Sequence, residues 1–201
     1  MGVDLNTLIA DWSWLAEVPP PERLARLRNA WYDDATGLWD YDRDGTDDGW
    51  EWPRGPHSAL FGVYEFPGTL GSYKPHFWAG EAWEKARDHV DAGLRAELDA
   101  LLGGLIWDGP DFDDEELGEG HAFFTGGYGL LVAQSPQGVR DLLATWERVR
   151  PRLDELRAPY EERSEASQYR SFDGFVRLLT NWGEVLAEAA RRGWGIAGVS
   201  E

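Results

Sequence analysis

The chain has 201 residues, of which 42% are apolar and 13% aromatic, so it contains enough apolar material for one packed domain. Its 37 acidic and 19 basic side chains give a formal net charge of −18, which argues against binding to nucleic acid or to an anionic membrane surface. It contains no cysteine, which excludes disulfides and cysteine-ligated metal sites.

The spacing of apolar residues and the turn signals predict a mixture of helices and strands without strict alternation. In chain order, the predicted elements are a helix at 5–17, a helix at 21–33, a long loop at 34–57, a strand at 58–66, a helix at 80–102, a short strand at 105–107, an acidic loop at 108–120, a strand at 129–133, a helix beginning after Ser135, a helix at 172–192 and a strand at 194–199. We therefore predict an α+β fold with a mixed or antiparallel sheet, four to five helices and long acidic loops.

The negative charge is concentrated in the first two thirds of the chain. Residues 1–136 carry 26 acidic and 9 basic side chains, a balance of −17, whereas residues 137–201 carry 11 and 10, a balance of −1. Nine of the twelve tryptophans also lie in the first part, where each can bury a large apolar area. We predict a single domain over 1–201, with an acidic, Trp-rich part at 1–136 and a near-neutral helical part at 137–201 that ends in a strand.

Two C-terminal segments carry a resemblance to a known family. The segment GLLVAQSPQGVRDLL (129–143) is a strand followed by a Ser-Pro-capped helix, and FVRLLTNWGEVLAEAARRGWGIAGV (175–199) is a helix followed by a terminal strand. Over about a third of the chain these segments resemble the YfbM-like family of small bacterial proteins. The resemblance implies an α+β fold and no catalytic residues.

The segment DYDRDGTDDGWE (40–51) matches the calcium-loop pattern D-x-D-x-D-G-x5-E. The pattern supplies hard oxygen ligands at alternate positions and a sharp turn at Gly45. The predicted ligands are Asp40, Asp42, Asp44, Thr46 through its carbonyl, Asp48 and Glu51. Asp47 stands where the pattern favours an apolar residue, and Pro53 and Pro56 prevent the exit helix of an EF-hand. The alternative is a solvated turn without metal.

A second acidic segment, 108–119, contains no basic residue, so it is either a solubilising loop or a contact surface for a basic partner. Two tryptophans beside the first acidic loop are candidate interface anchors, with core packing as the alternative. The predicted binding residues are Asp111, Asp113, Asp114, Glu115, Glu116, Trp50 and Trp52.

Three functions remain open from the sequence. The leading prediction is a non-enzymatic acidic binding protein of the immunity or inhibitor type, which neutralises a basic protein partner such as a toxin by electrostatic capture. The first alternative is a calcium-binding protein that uses the loop Asp40–Glu51. The second is a small hydrolase-like enzyme with His57 or His76 beside a carboxylate, although a hydrogen-bonding loop histidine explains either residue more simply.

The sequence also predicts where the protein acts. The start, MGVDLNTLIADW, lacks the basic and apolar regions of a signal peptide, and no apolar run is long enough to cross a bilayer. Together with the absence of cysteine, this favours the cytoplasm, with no nucleic acid and no membrane as partners.

Overall fold

The computed structural model describes residues 3–40, 49–106, 119–125, 128–163 and 171–200. In these ranges five strands form one open sheet in the order β2-β3-β1-β5-β4, and every neighbouring pair is antiparallel. The strands are β1 (Asn6–Ala10), β2 (Trp50–Glu51), β3 (Phe61–Tyr64), β4 (Leu130–Gln134) and β5 (Gly195–Val199).

The central strand, β1, is buried on both faces. Successive side chains of a strand point to opposite faces, so Leu8 and Ala10 contribute to one apolar cluster while Ile9 contributes to the other. Both Leu8 and Ile9 are fully buried. The sheet is therefore the middle layer of a sandwich with helices on either side.

The helices divide between these two layers. Buried side chains of α1, α2 and α5 cluster with Leu8, and those of α3, α4, α6, α7 and α8 cluster with Ile9. The helix bounds are α1 (Trp12–Leu15), α2 (Pro20–Trp31), α3 (Lys74–Ala86), α4 (Ala92–Gly103), α5 (Glu119–Phe124), α6 (Pro136–Val149), α7 (Arg157–Glu161) and α8 (Phe172–Arg192).

The predicted α+β class is confirmed, and the sheet is antiparallel, with all its described strands in a single domain. The helices are more numerous than the four to five predicted, partly because α1, α5 and α7 have only 4, 6 and 5 residues. The prediction for α8 is confirmed at both ends. The Ser171 hydroxyl accepts a hydrogen bond from the Gly174 amide, and Gly193 ends the helix with φ 71° in the left-handed region.

Two predicted helices were wrong in their extent. The predicted helix at 5–17 is strand β1 followed by the short α1, because apolar residues at 5, 8, 9 and 12 also fit a strand that is buried on both faces. The predicted helix at 80–102 is two helices. The second, α4, begins after Asp91, whose carboxylate accepts hydrogen bonds from the amides of Gly93 and Leu94.

The short strand predicted at 105–107 is also wrong for the residues that are described there. Leu105 and Ile106 form a turn after α4, in which both backbone amides donate to the Leu102 carbonyl. Both side chains remain buried. Within the described ranges, no helix combines the length and apolar character that a membrane crossing requires.

Close packing of α8 against α6 depends on Gly183. A Cβ added there would overlap the Trp146 indole, which is itself buried. We expect Gly183→Ala to destabilise the fold by about 1–3 kcal/mol, because neither the ring nor the helix backbone can move freely. Urea unfolding followed by circular dichroism measures this change.

The matched control is Gly103→Ala in α4, where an added Cβ meets nothing within 4 Å. This variant should unfold at the same or slightly higher urea concentration than the unmodified protein, since Ala favours helix over Gly by up to about 1 kcal/mol. Equal effects of the two substitutions would contradict the packing of Trp146 on Gly183.

Candidate functional site

Where α2 ends, the chain folds back on itself and presents aromatic rings to solvent. The 3₁₀ turn Asp34–Thr36 follows the helix, and Gly37 reverses the chain with φ 64°. This reversal brings Trp39 back to the helix end, where its indole N–H donates to the Trp31 carbonyl at 3.0 Å. The turn thereby fixes the position of a ring that is not itself in the core.

Three aromatic rings contact one another at this point, and two of them are stacked. Trp39 lies parallel to Tyr32, with ring centroids 5.0 Å apart, and 5.4 Å from Trp31. Trp31 is buried, but Tyr32 and Trp39 are 44% and 46% exposed. The buried Trp31 thus supports the half-exposed rings of Tyr32 and Trp39. Adjacent exposed aromatic rings are typical of interaction sites.

Carboxylates surround the exposed rings. Asp33 and Asp34 follow Tyr32 directly, and Asp40 follows Trp39. All three are exposed. We call Tyr32, Asp33, Asp34, Trp39 and Asp40 the acidic–aromatic patch.

Arg54, in the segment between β2 and β3, makes two hydrogen bonds to the turn that carries the patch. Its backbone amide donates to the Thr36 carbonyl at 2.7 Å, and its guanidinium donates to Asp40 at 2.7 Å. The guanidinium side chain lies so close to Gly37 that a Cβ there would come within about 3 Å of it. One arginine therefore holds the turn and partly compensates one of the three carboxylates.

The histidine beside this patch is poorly placed for catalysis. The Nε2 of His57 lies 3.5 Å from the Asp33 carboxylate, while its Nδ1 is buried and has no hydrogen-bond partner in the part of the chain that the structure describes. The neighbouring Ser58 hydroxyl donates to the Gly55 carbonyl. Nε2 of His57 thus faces the Asp33 carboxylate, and Nδ1 is buried. This arrangement fits a structural contact better than a general base, which needs a nitrogen that a substrate can reach.

His76 is inaccessible to a substrate. It is 1% exposed and lies among the rings of Tyr73, Phe66 and Trp182, at centroid distances of 5.8, 4.7 and 5.9 Å. Neither ring nitrogen has a hydrogen-bond partner among the described residues, and burial lowers the pKa of His76 from 6.5 to about 3. The enzyme with a His and a carboxylate stays a prediction, and neither histidine adds support to it.

The two tryptophans predicted as anchors lie in an internal stack. Trp50 is buried and stacks on Trp52 with centroids 5.1 Å apart. The Arg192 guanidinium lies 4.0 Å from the Trp52 ring and 4.8 Å from the Trp194 ring. This cation–π stack occupies Trp52 within the chain, so the role of Trp50 and Trp52 as interface anchors stays a prediction.

Sequence reasoning did not select Tyr32 and Trp39 as the exposed rings. The signal was present in YDDATGLWD (32–40), where an aromatic residue near each end lies directly beside carboxylates after a helix. Composition alone could not separate these rings from the buried ones. The remaining predicted binding residues lie outside the described part of the chain: Asp111, Asp113, Asp114, Glu115 and Glu116.

The predicted calcium loop is only partly within the described ranges, which exclude Asp42, Asp44, Thr46 and Asp48. Asp40 is paired with Arg54, and Glu51 lies in β2. Within the ranges that are described, no group of three or more potential ligands is placed to hold a metal ion. Calcium binding therefore stays a prediction.

Comparisons of this chain with protein-family models, with curated proteins and with solved structures find no match. The resemblance to the YfbM-like family stays a prediction. Any functional assignment consequently depends on the geometry and charge of the site.

The calcium prediction is tested by thermal unfolding. If the loop binds the ion, millimolar calcium should raise the melting temperature, because a ligand that binds only the folded state stabilises it. Asp40→Ala combined with Asp44→Ala should abolish that rise. Identical melting temperatures of the unmodified protein in calcium and in chelator would contradict calcium binding.

Burial of neutral His76 predicts a pH-dependent stability. Between about pH 6.5 and 3 the unfolded chain binds a proton at this position and the folded chain does not, so stability falls as the pH is lowered through this range. From pH 7 to pH 5, His76 should account for a loss of about 2 kcal/mol in the free energy of unfolding.

Urea unfolding at pH 7 and at pH 5 measures this loss. His76→Phe should reduce it, while His89→Gln, at an exposed histidine, should leave it unchanged. Equal losses in the unmodified protein and in His76→Phe would show that the buried imidazole does not control the pH dependence.

Proposed function

We propose that this chain is a non-enzymatic acidic binding protein of the immunity or inhibitor type, which neutralises a basic protein partner such as a toxin. The observation that carries the proposal is the acidic–aromatic patch, in which two half-exposed stacked rings lie among three exposed carboxylates. Rings of this kind act as interface anchors, and surrounding charges select and steer the partner.

The charge of the chain supports the same choice of partner. The patch lies within residues 1–136, whose balance is −17, so the long-range field attracts a positively charged surface. A basic active site, such as that of an enzyme that cleaves nucleic acid, has this complementary character. The same field opposes nucleic acid and anionic lipid as partners. The proposal places this interaction in the cytoplasm.

The rigid attachment of the patch favours binding without a large entropic cost. Trp39 is held by a hydrogen bond to Trp31, and Arg54 fixes the turn from the other side. Side chains that are already ordered lose little freedom when a partner docks. A buried third ring beneath them keeps the two exposed rings from collapsing into the core.

Photo-crosslinking in the native cell identifies the partner. Benzoylphenylalanine placed at Tyr32 should capture a protein with an isoelectric point above about 9. Placed at Phe77, an exposed aromatic position on α3, it should capture no such protein. Capture of only acidic proteins from position 32, or equal capture of the same basic protein from both positions, would contradict the proposal.

Neutralisation is tested on the captured partner itself. Growth arrest caused by expressing the partner should be relieved by co-expression of the unmodified chain. Relief should be lost with Trp39→Ala and kept with Phe77→Ala. If the chain binds the partner without changing the partner's activity, the result would support a binding protein and contradict the inhibitor function.

Surface binding kinetics should distinguish the contribution of the patch carboxylates from that of the Trp39 ring. Asp33→Asn, Asp34→Asn and Asp40→Asn together should lower the association rate about tenfold at low salt, with a smaller effect on dissociation. Trp39→Ala should mainly raise the dissociation rate, by about tenfold or more, because it removes a ring that becomes buried in the complex.

The matched control for charge is Asp141→Asn, Glu147→Gln and Asp154→Asn, which removes three exposed carboxylates from the near-neutral part of the chain. This control should change the association rate much less. If both triple variants slow association equally, net charge rather than the acidic–aromatic patch guides the partner.

A further inference from the structure

A small cleft lies between the loop after β3 and the first half of α8, remote in sequence from the acidic–aromatic patch. Its volume is about 40 Å³. The lining residues are Pro67, Gly68, Thr69, Pro75, Gly174, Arg177, Leu178 and Asn181. The volume corresponds to about three water molecules, which is far too small for a nucleotide or a sugar.

The cleft contains an uncompensated cation. Arg177 is exposed and, within the described part of the chain, makes no hydrogen bond, ion pair or ring contact. Farther along the same helix, Arg191 and Arg192 share the Glu188 carboxylate. A guanidinium left without an acceptor is unusual in a chain of net charge −18. It retains all its donors for a ligand.

The Asn181 side chain in the cleft is also without a partner among the described residues. Asn181 is 9% exposed, and its side-chain amide makes no hydrogen bond to any described residue. The Asn181 side chain is nine-tenths buried, but its amide is not sealed from solvent, so a ligand in the cleft can reach its donors and acceptor. Asn181 lies one turn after Arg177 on the same face of α8, so both groups reach the same cleft.

Arg177 is the one charged side chain among the lining residues, although the protein as a whole is acidic. None of the lining residues is a carboxylate. Asp173 precedes Gly174 in the first turn of α8, but it is paired with Arg157 at 3.2 Å. The positive end of this 21-residue helix contributes in the same direction. The proline rings and Leu178 supply an apolar wall.

We propose that this cleft binds a small carboxylate, with Arg177 pairing to its oxygens, the Asn181 amide donating to it, and the apolar wall holding a short alkyl group. A planar carboxylate matches the fork of a guanidinium and fits the volume. The group can come from a short free acid or from the C-terminus of a peptide. The site is independent of the docking of a basic partner at the acidic–aromatic patch.

The test follows the side-chain amide signals of Asn181 by ¹H–¹⁵N NMR. Titration with propionate should shift them saturably, with a dissociation constant in the millimolar range that is typical of so small a ligand. Propionamide, which has the same shape without the charge, should leave them in place. The same titration with acetyl-dialanine shows whether a peptide C-terminus binds better than a free acid, and its C-terminal amide is the uncharged control.

Two variants of α8 with the same change in net charge provide the control. Arg177→Gln should weaken carboxylate binding about tenfold, whereas Arg191→Gln, also at an exposed arginine of α8, should change it less than about twofold. Equal weakening by both variants, equal shifts with acid and amide, or no saturable shift at Asn181 with either acid would overturn the proposal.

Discussion

The burial of β1 on both faces is the constraint on which the rest of the structure depends. A strand in this position needs an apolar layer above and below it, and the helices of the chain supply both layers around Leu8 and Ile9. Glu51 in the edge strand β2 is the one charged residue of the described strands, and the other described charged side chains lie on the helices and in the connections. One such connection, between α2 and β2, carries the acidic–aromatic patch.

The unusual number of tryptophans follows from the way these layers approach one another. Three indole rings lie so close to glycines that any side chain at the glycine would overlap the ring. These pairs are Trp12 with Gly195, Trp52 with Gly62 and Trp146 with Gly183. Large rings fill the space that the missing Cβ atoms leave, so a chain rich in both residue types reaches dense packing. Most of the described tryptophans are buried. Trp39 is exposed and stacks on the exposed Tyr32, so this pair stands out as a candidate for binding among the exposed aromatic rings, which also include Phe77 and Tyr128.

Most of the C-terminal third could be predicted from the sequence, because its signals are local. Ser135 and Ser171 cap helices, and the apolar stripe of α8 has a single helical period. The first third was harder, since burial of β1 on both faces depends on elements distant in sequence. The acidic character of the site was predictable from composition. The choice of Tyr32 and Trp39 over Trp50 and Trp52 was not, because it depends on which rings the fold leaves exposed.

Hydrogen exchange on the complex tests the central claim, that the protein binds a basic partner through the acidic–aromatic patch. Backbone amides of residues 31–40 in the free protein are compared with those in the complex with the partner captured from position 32. The account predicts slower exchange in this segment on binding, with α6 and α8 unchanged. Protection confined to α6 and α8, with residues 31–40 exchanging as fast as in the free protein, would contradict it.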